Sequence, residues 1–242
     1  LSTERRRLTV MFCDLMDSTY FASDMDPEDT HLILQQYHNL CDRLVSARGG
    51  YIAQHLGDGV LAYFGFPQAH EDDAARAIAA GLQIAAELPH LRPAAALPAG
   101  ASLAVRIGIH SGEVVTADIG RGAQSERLAL GEVPNLAARL QGLAERNSVV
   151  VSAASYALAA AAFEFVPRGL HAVKGLSKPI EVYRALRRTS LRENFHAGPV
   201  NDMVGRTVEL ARLEALFNEA CAGHTRSIAV VGEPGIGKTR LI

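Results

Sequence analysis

Two aspartates, Asp14 in VMFCDLMDST and Asp58 in QHLGDGVLAYFG, each end or interrupt an apolar run that reads as a buried strand. A carboxylate in such a place loses hydration that only a partner or a metal ion restores. Two of them, 44 residues apart in the sequence, suggest a divalent-cation site built from oxygen ligands. Taken singly, each has a plainer reading. Asp14 would cap a following helix, and Asp58 would sit in the Gly57-Asp58-Gly59 turn of a hairpin. A third segment, LALGEVPNLAARLQGLA (residues 128–144), carries Asn135 and Arg139, whose spacing of four puts both on one face of a helix. Alone, that arginine would read as a surface residue in a weak ion pair. Near the end, IAVVGEPGIGKT sets Gly232, Gly237, Lys238 and Thr239 in the G-x-x-x-x-G-K-T spacing after a four-residue apolar strand. Backbone N–H groups of such a loop cradle phosphates, the lysine reaches the terminal ones and the threonine can hold Mg²⁺.

The elements that must position these residues follow from pattern. Leu8 to Cys13 is a β-rich run, and Asp17, Ser18 and Thr19 suit the start of a helix. Asp26-Pro27-Glu28 opens a long amphipathic helix that Gly49-Gly50 stops. Tyr51 to His55 and Val60 to Phe64 form a hairpin with Asp58 at its tip. Glu71 to Leu88 is an Ala-rich helix, followed by a Pro- and Ala-rich loop over 89–100 and two strands, Leu103 to Ile109 and Val114 to Ile119. Gly131 to Ala144 is a further helix, in which Pro134 is tolerated because it lies in the first turn. Val149 to Ser152, Phe163 to Val166 and Ile180 to Leu186 are later strands. This alternation predicts an α+β sheet covered on one face. Residues 187–199 are polar and irregular and read as a linker to a segment, 200–242, that begins a P-loop domain.

Together with ERRRLTVMFCDL, the two aspartate segments and the third motif resemble the catalytic domain of class III nucleotidyl cyclases, over about Arg5 to Leu186. The resemblance implies a ferredoxin-like core over residues 1–186 and conversion of ATP, with GTP possible, to the 3′,5′-cyclic nucleotide and pyrophosphate. It implies that Asp14 and Asp58 bridge two Mg²⁺ or Mn²⁺ ions with the backbone carbonyl of Leu15, and that N–H groups of Met16 to Thr19, hence Asp17, Ser18 and Thr19, receive the phosphates. Asn135 would orient the ribose, Arg139 would stabilise charge on the α-phosphate, and Lys174 in HAVKGLSKPIEVYRAL would contact the triphosphate. Gln54 and Leu128 fall where adenylate cyclases of the family carry a lysine and an Asp or Thr that read the base. Gln54 can donate and accept, whereas Leu128 can do neither, so base selection is the step these departures touch. The family builds each site from two subunits, and this chain has both half-sets, which implies a head-to-tail homodimer. The P-loop segment resembles the start of an AAA/STAND-like ATPase. The sequence ends three residues after Thr239, so hydrolysis is not expected from that segment alone. A rival reading is a degenerate cyclase domain that binds nucleotide or only dimerises and regulates the attached ATPase.

Composition agrees with an enzyme domain. The chain has 242 residues, 48% hydrophobic and 21% charged, with a net charge of −2 and no long basic patch, which argues against nucleic-acid or membrane-surface binding. No apolar stretch is long enough to span a bilayer and no signal-peptide pattern opens the sequence. Three cysteines, Cys13, Cys41 and Cys221, are odd in number and lack metal-ligand spacing. They fit free thiols in a cytoplasmic location.

Overall fold

The computed structural model describes residues 4–18, 25–91, 97, 102–119, 126–173, 178–189, 206–225 and 227–229. The chain divides into two compact units, Leu1–Asn194 and Phe195–Ile242. In the first, β1 (Glu4–Leu15) is followed by α1 (Pro27–Ser46), the hairpin β2 (Tyr51–Leu56) and β3 (Gly59–Phe64), and α2 (Asp73–Glu87). Then come β4 (Val105–Ile119), β5 (Glu126–Leu130), α3 (Glu132–Gln141), β6 (Ser148–Ser152), α4 (Ala153–Ala159), β7 (Phe163–His171) and β8 (Ile180–Arg188). The strands make one sheet in the order β2-β3-β1-β4-β6-β8-β7, with β5 paired to β4. In the second unit, α5 (Thr207–Cys221) buries no residue. Gly232, Gly237, Lys238 and Thr239 lie outside the described residues.

The central pair carries the site. β1 runs antiparallel to both β3 and β4, and its alternation sends Met11, Cys13 and Leu15 into a core shared with α1 and α2. Leu8 and Val10 point the other way, into a second cluster with Val133 and Ala137 of α3. The sheet is therefore covered on both faces, which corrects the single covered face expected above. The amphipathic α3 needs apolar surface of its own, and the even-numbered positions of β1 supply it. Asp26 does cap α1, its carboxylate accepting from the Glu28 N–H at 2.9 Å, but the helix ends at Ser46, before the two glycines.

Two strands expected on either side of position 112 are one 15-residue strand, β4. Gly112 falls between the expected strands, yet it pairs with Leu8 in an unbroken ladder against β1, so tertiary pairing overrides the local signal. β5 and α4 were not foreseen. α4 is only 7 residues long, too short for a periodicity to show; its N-cap is Ser152, whose hydroxyl accepts from the Ser155 N–H. The Ser155 hydroxyl joins Ser111 at 2.9 Å, and Ser111 joins Thr9 at 2.8 Å, a buried polar chain that ties α4 to the sheet.

Gly108 of β4 decides how closely α3 lies on the sheet. A Cβ there would stand 2.2 Å from the Ala137 carbonyl oxygen and from the Gln141 nitrogen, both backbone atoms. Gly108→Ala should therefore lift the helix and cost about 3 kcal/mol, the upper range for overpacking. Urea denaturation of the variant would show this as a lowered midpoint at unchanged slope.

Candidate active site

The β1–β4 register sets Asp14 directly opposite Arg106, and the β1–β3 register sets it opposite Gly59, next to Asp58 at the hairpin tip. Opposed residues on neighbouring strands point to the same face. Accordingly, Arg106 Nη2 donates to Asp14 Oδ2 at 2.9 Å, and Gln141 Nε2, at the end of α3, donates to the same oxygen at 2.9 Å. The Leu15 N–H donates to the Asp58 carbonyl at 3.1 Å, holding the tip against the end of β1. The Ser18 hydroxyl donates to Asp58 Oδ2. His55 Nε2 meets Asp42 Oδ1 at 2.9 Å, which ties the hairpin to α1. Asp14 is thus no helix cap but a side chain held on the sheet face.

Burial pushes the Asp14 carboxyl above its usual range. The Arg106 hydrogen bond opposes that push, and the nearby Asp58 carboxylate adds to it. A half-buried carboxylate with a second one beside it, at one end of the central strands, forms a site that a divalent cation would relieve. Among the described residues no three His, Cys, Asp or Glu side chains converge on a metal position. The donor set is therefore two hard carboxylates, with further oxygens left to backbone, water or substrate. That composition fits Mg²⁺ or Mn²⁺, which keep waters and take phosphate oxygens alongside one or two carboxylates.

The other expected site residues are placed as follows. Gln54 pairs with Leu61, which pairs with Phe12, so Gln54 lies on the same sheet face as Asp14, two strands away. Leu128 lies in β5 opposite Ala117; its side chain is outside the described residues, as are Thr19 and Lys174. Asn135 is exposed on α3, its amide 3.4 Å from the Gly131 carbonyl, and Arg139 is half-exposed one turn on. The buried stripe of α3 is Val133, Leu136, Ala137, Leu140 and Gln141. At 100° per residue, Asn135 and Arg139 face away from it. One chain thus turns Gln141, not Asn135 or Arg139, toward Asp14. Of the segment expected to receive phosphate, the Met16 N–H is already spent on the Ala104 carbonyl at 2.8 Å.

Sequence reasoning missed Arg106 and Gln141. Arg106 sits in an ordinary strand run, LAVRIGIH, and only the strand register brings it to Asp14. Gln141 is a polar residue on the buried stripe of an amphipathic helix, and that mismatch was the available signal.

A sheet carrying paired carboxylates on the end of its first strand and at a hairpin tip, with a helix packed across the same face, defines an α+β domain with a candidate divalent-cation site. Residues 2–186 match the family described as "Adenylate and Guanylate cyclase catalytic domain", and the chain belongs to that family. Residues 202–242 match the "AAA ATPase domain". The chain is similar to an uncharacterized protein of Rhizobium meliloti (strain 1021), 30% identical over 99% of this chain and 23% of that protein. It is similar to Adenylate cyclase 1 of the same organism, 29% identical over 75% of this chain and 28% of that protein. It thus spans about a quarter of the length of these curated relatives. Among solved structures, the adenylyl cyclase CyaB from P. aeruginosa is 27% identical with a TM-score of 0.71, covering 77% of this chain and 97% of that one. The guanylyl cyclase Cya2 is 26% identical with a TM-score of 0.69, covering 76% and 94%. No helix among the described residues is long and apolar enough to cross a membrane.

Proposed function

We propose that this chain is an adenylate cyclase that converts ATP to 3′,5′-cyclic AMP and pyrophosphate in a site shared by two copies of itself. The observation that carries the reading is the placement of the two half-sets. Asp14 and Asp58 come together at one end of the sheet, while Asn135 and Arg139 stand on the outward face of α3, away from Asp14, where a second copy could use them. The similarity to Adenylate cyclase 1 and to CyaB supports ATP; the similarity to Cya2 keeps GTP as the alternative substrate.

In this reading the ribose 3′ hydroxyl attacks its own α-phosphorus in line, forming the cyclic ester as the bond to pyrophosphate breaks. Divalent ions held by Asp14, Asp58 and the Leu15 carbonyl would supply the positive charge that eases loss of the hydroxyl proton and steadies the leaving pyrophosphate. Arg106, which donates to Asp14 Oδ2 and whose Nε is buried with no hydrogen-bond partner in the described structure, would supply a further positive charge next to the carboxylate that would hold the ions. Asn135 of the second copy orients the ribose, and Arg139 meets charge that grows on the α-phosphate. Lys174 contacts the triphosphate. Gln54 reads the purine edge, with Leu128 as an apolar wall. The segment from 200 onward begins an ATPase domain that tunes this output.

The deciding experiment incubates the purified chain with ATP or GTP and Mn²⁺ or Mg²⁺ and measures cyclic product. Absence of product with both nucleotides and both ions would favour a nucleotide-binding or dimerising domain, the reading that Gln54 and Leu128 support. For base choice, one polar contact and an apolar wall discriminate by little, about 1–3 kcal/mol. Changing Gln54→Lys and Leu128→Asp together should therefore raise the ATP-to-GTP ratio of kcat/KM by roughly tenfold or more. An unchanged ratio with retained activity would assign base reading to other residues.

A further inference from the structure

Asp17 is one of two non-glycine residues in the described chain with positive φ, at 61°; the other is Asn147, at 51°. Side chains other than Gly, Asn and Asp rarely adopt this conformation, and it is held only where the surroundings enforce it. Each is tied to the segment that leads into β4, Asn147 directly and Asp17 through Met16 and Arg146. Asn147 Oδ1 accepts from the Val105 N–H at 3.0 Å, and the Asn147 N–H donates to the Val105 carbonyl at 2.8 Å. On the other side of that segment, the Met16 N–H donates to the Ala104 carbonyl at 2.8 Å. Arg146 spans the gap. Its Nη2 donates to the Ser102 carbonyl at 2.7 Å and its Nη1 meets Asp17 Oδ2 at 3.2 Å. An arginine anchored on a carbonyl thus holds the carboxylate of a left-handed residue three positions after Asp14, just past the end of β1.

From this geometry we infer that Arg146 is a positioning residue for the phosphate loop. It draws the Asp17 side chain away from the triphosphate path and neutralises it, so that the backbone N–H groups of the loop, and not an anion, face the substrate. The inference rests on the proposal that this loop receives the nucleotide phosphates. Without Arg146, a carboxylate would remain beside a ligand carrying several negative charges, and repulsion in that setting acts on binding more than on the chemical step. The pair is solvent-exposed, with 44% and 56% of the two side chains accessible, so it adds little to folding stability. A purely structural role would show up there instead.

The test uses the full chain. Arg146→Ala should raise the KM for the metal–nucleotide complex about fivefold and leave kcat within about twofold, with an unchanged unfolding midpoint. Arg146→Lys should recover most of the loss. In the Asp17→Gly background, which needs neither a neutralising partner nor a restraint on φ, the further change Arg146→Ala should have no effect on KM. The same comparison is made by calorimetry with a 3′-deoxy nucleoside triphosphate and Ca²⁺, which reads binding where turnover is low. Equal KM and affinity for Arg146→Ala and the parent protein would overturn the inference, as would a defect that persists in the Asp17→Gly background. A parent protein that neither turns over nor binds the triphosphate would overturn the cyclase proposal itself.

Discussion

Asp58→Ala should lower cyclic-nucleotide formation by about three orders of magnitude if the two carboxylates hold the ions as proposed, because one carboxylate would leave positive charge at the reacting phosphate poorly anchored, and charge of that kind is worth several kcal/mol in the transition state. The fold should not suffer. Asp58 sits at a hairpin tip with Gly57 at φ 67° to make the turn, and its backbone carbonyl, which holds the Leu15 N–H, survives the change. Its carboxylate also pushes Asp14 toward protonation, so the metal-free variant should unfold no more easily than the parent. What it should lose is the rise in unfolding midpoint expected when Mn²⁺ and nucleotide are added to the parent protein. Near-normal turnover in the variant would remove Asp58 from the metal site.

The second large effect is a recovery. Asp14→Ala and Arg139→Ala homodimers should each be inactive if every site takes its carboxylates from one copy and its arginine from the other. Mixing them gives dimers in which one site receives both damaged parts and the other receives none. With random exchange about half of the dimers are mixed and each has one intact site, so activity should return to roughly a quarter of the parent value. The prediction draws on the orientation of α3, whose buried stripe ends in Gln141 against Asp14 and thereby turns Arg139 outward. Failure of any recovery, when exchange of subunits is shown independently, would place the site within one chain or leave the domain without catalysis.

Much of this protein can be read from the chain alone, and the parts that can are local. The hairpin around Asp58 follows from Gly57-Asp58-Gly59 between alternating strands, and α1 from Asp26-Pro27-Glu28 at its start. The Ala-rich composition of α2 and the first-turn Pro134 of α3 are likewise signals contained in their own segments. The misreadings share a cause as well. The stretch between Ile109 and Val114 falls outside both expected strands, but it lies inside a ladder that β1 enforces from outside the segment. The second covered face went unseen because no local pattern says which side of a sheet a distant helix will take.

The family, the candidate aspartates and the asparagine–arginine helix face were legible in the sequence alone, because each depends on residue types and spacings inside short segments that keep their order along the chain. Tertiary structure alone decided which groups meet. Asp14 touches Arg106 through a strand register 92 residues long in the chain, and Gln141 through a helix that Gly108 allows to sit close. The reach of Arg146 to Asp17 spans 129 residues. Such contacts are set by burial and backbone pairing summed over the whole sheet, and no single segment contains the energy that chooses them.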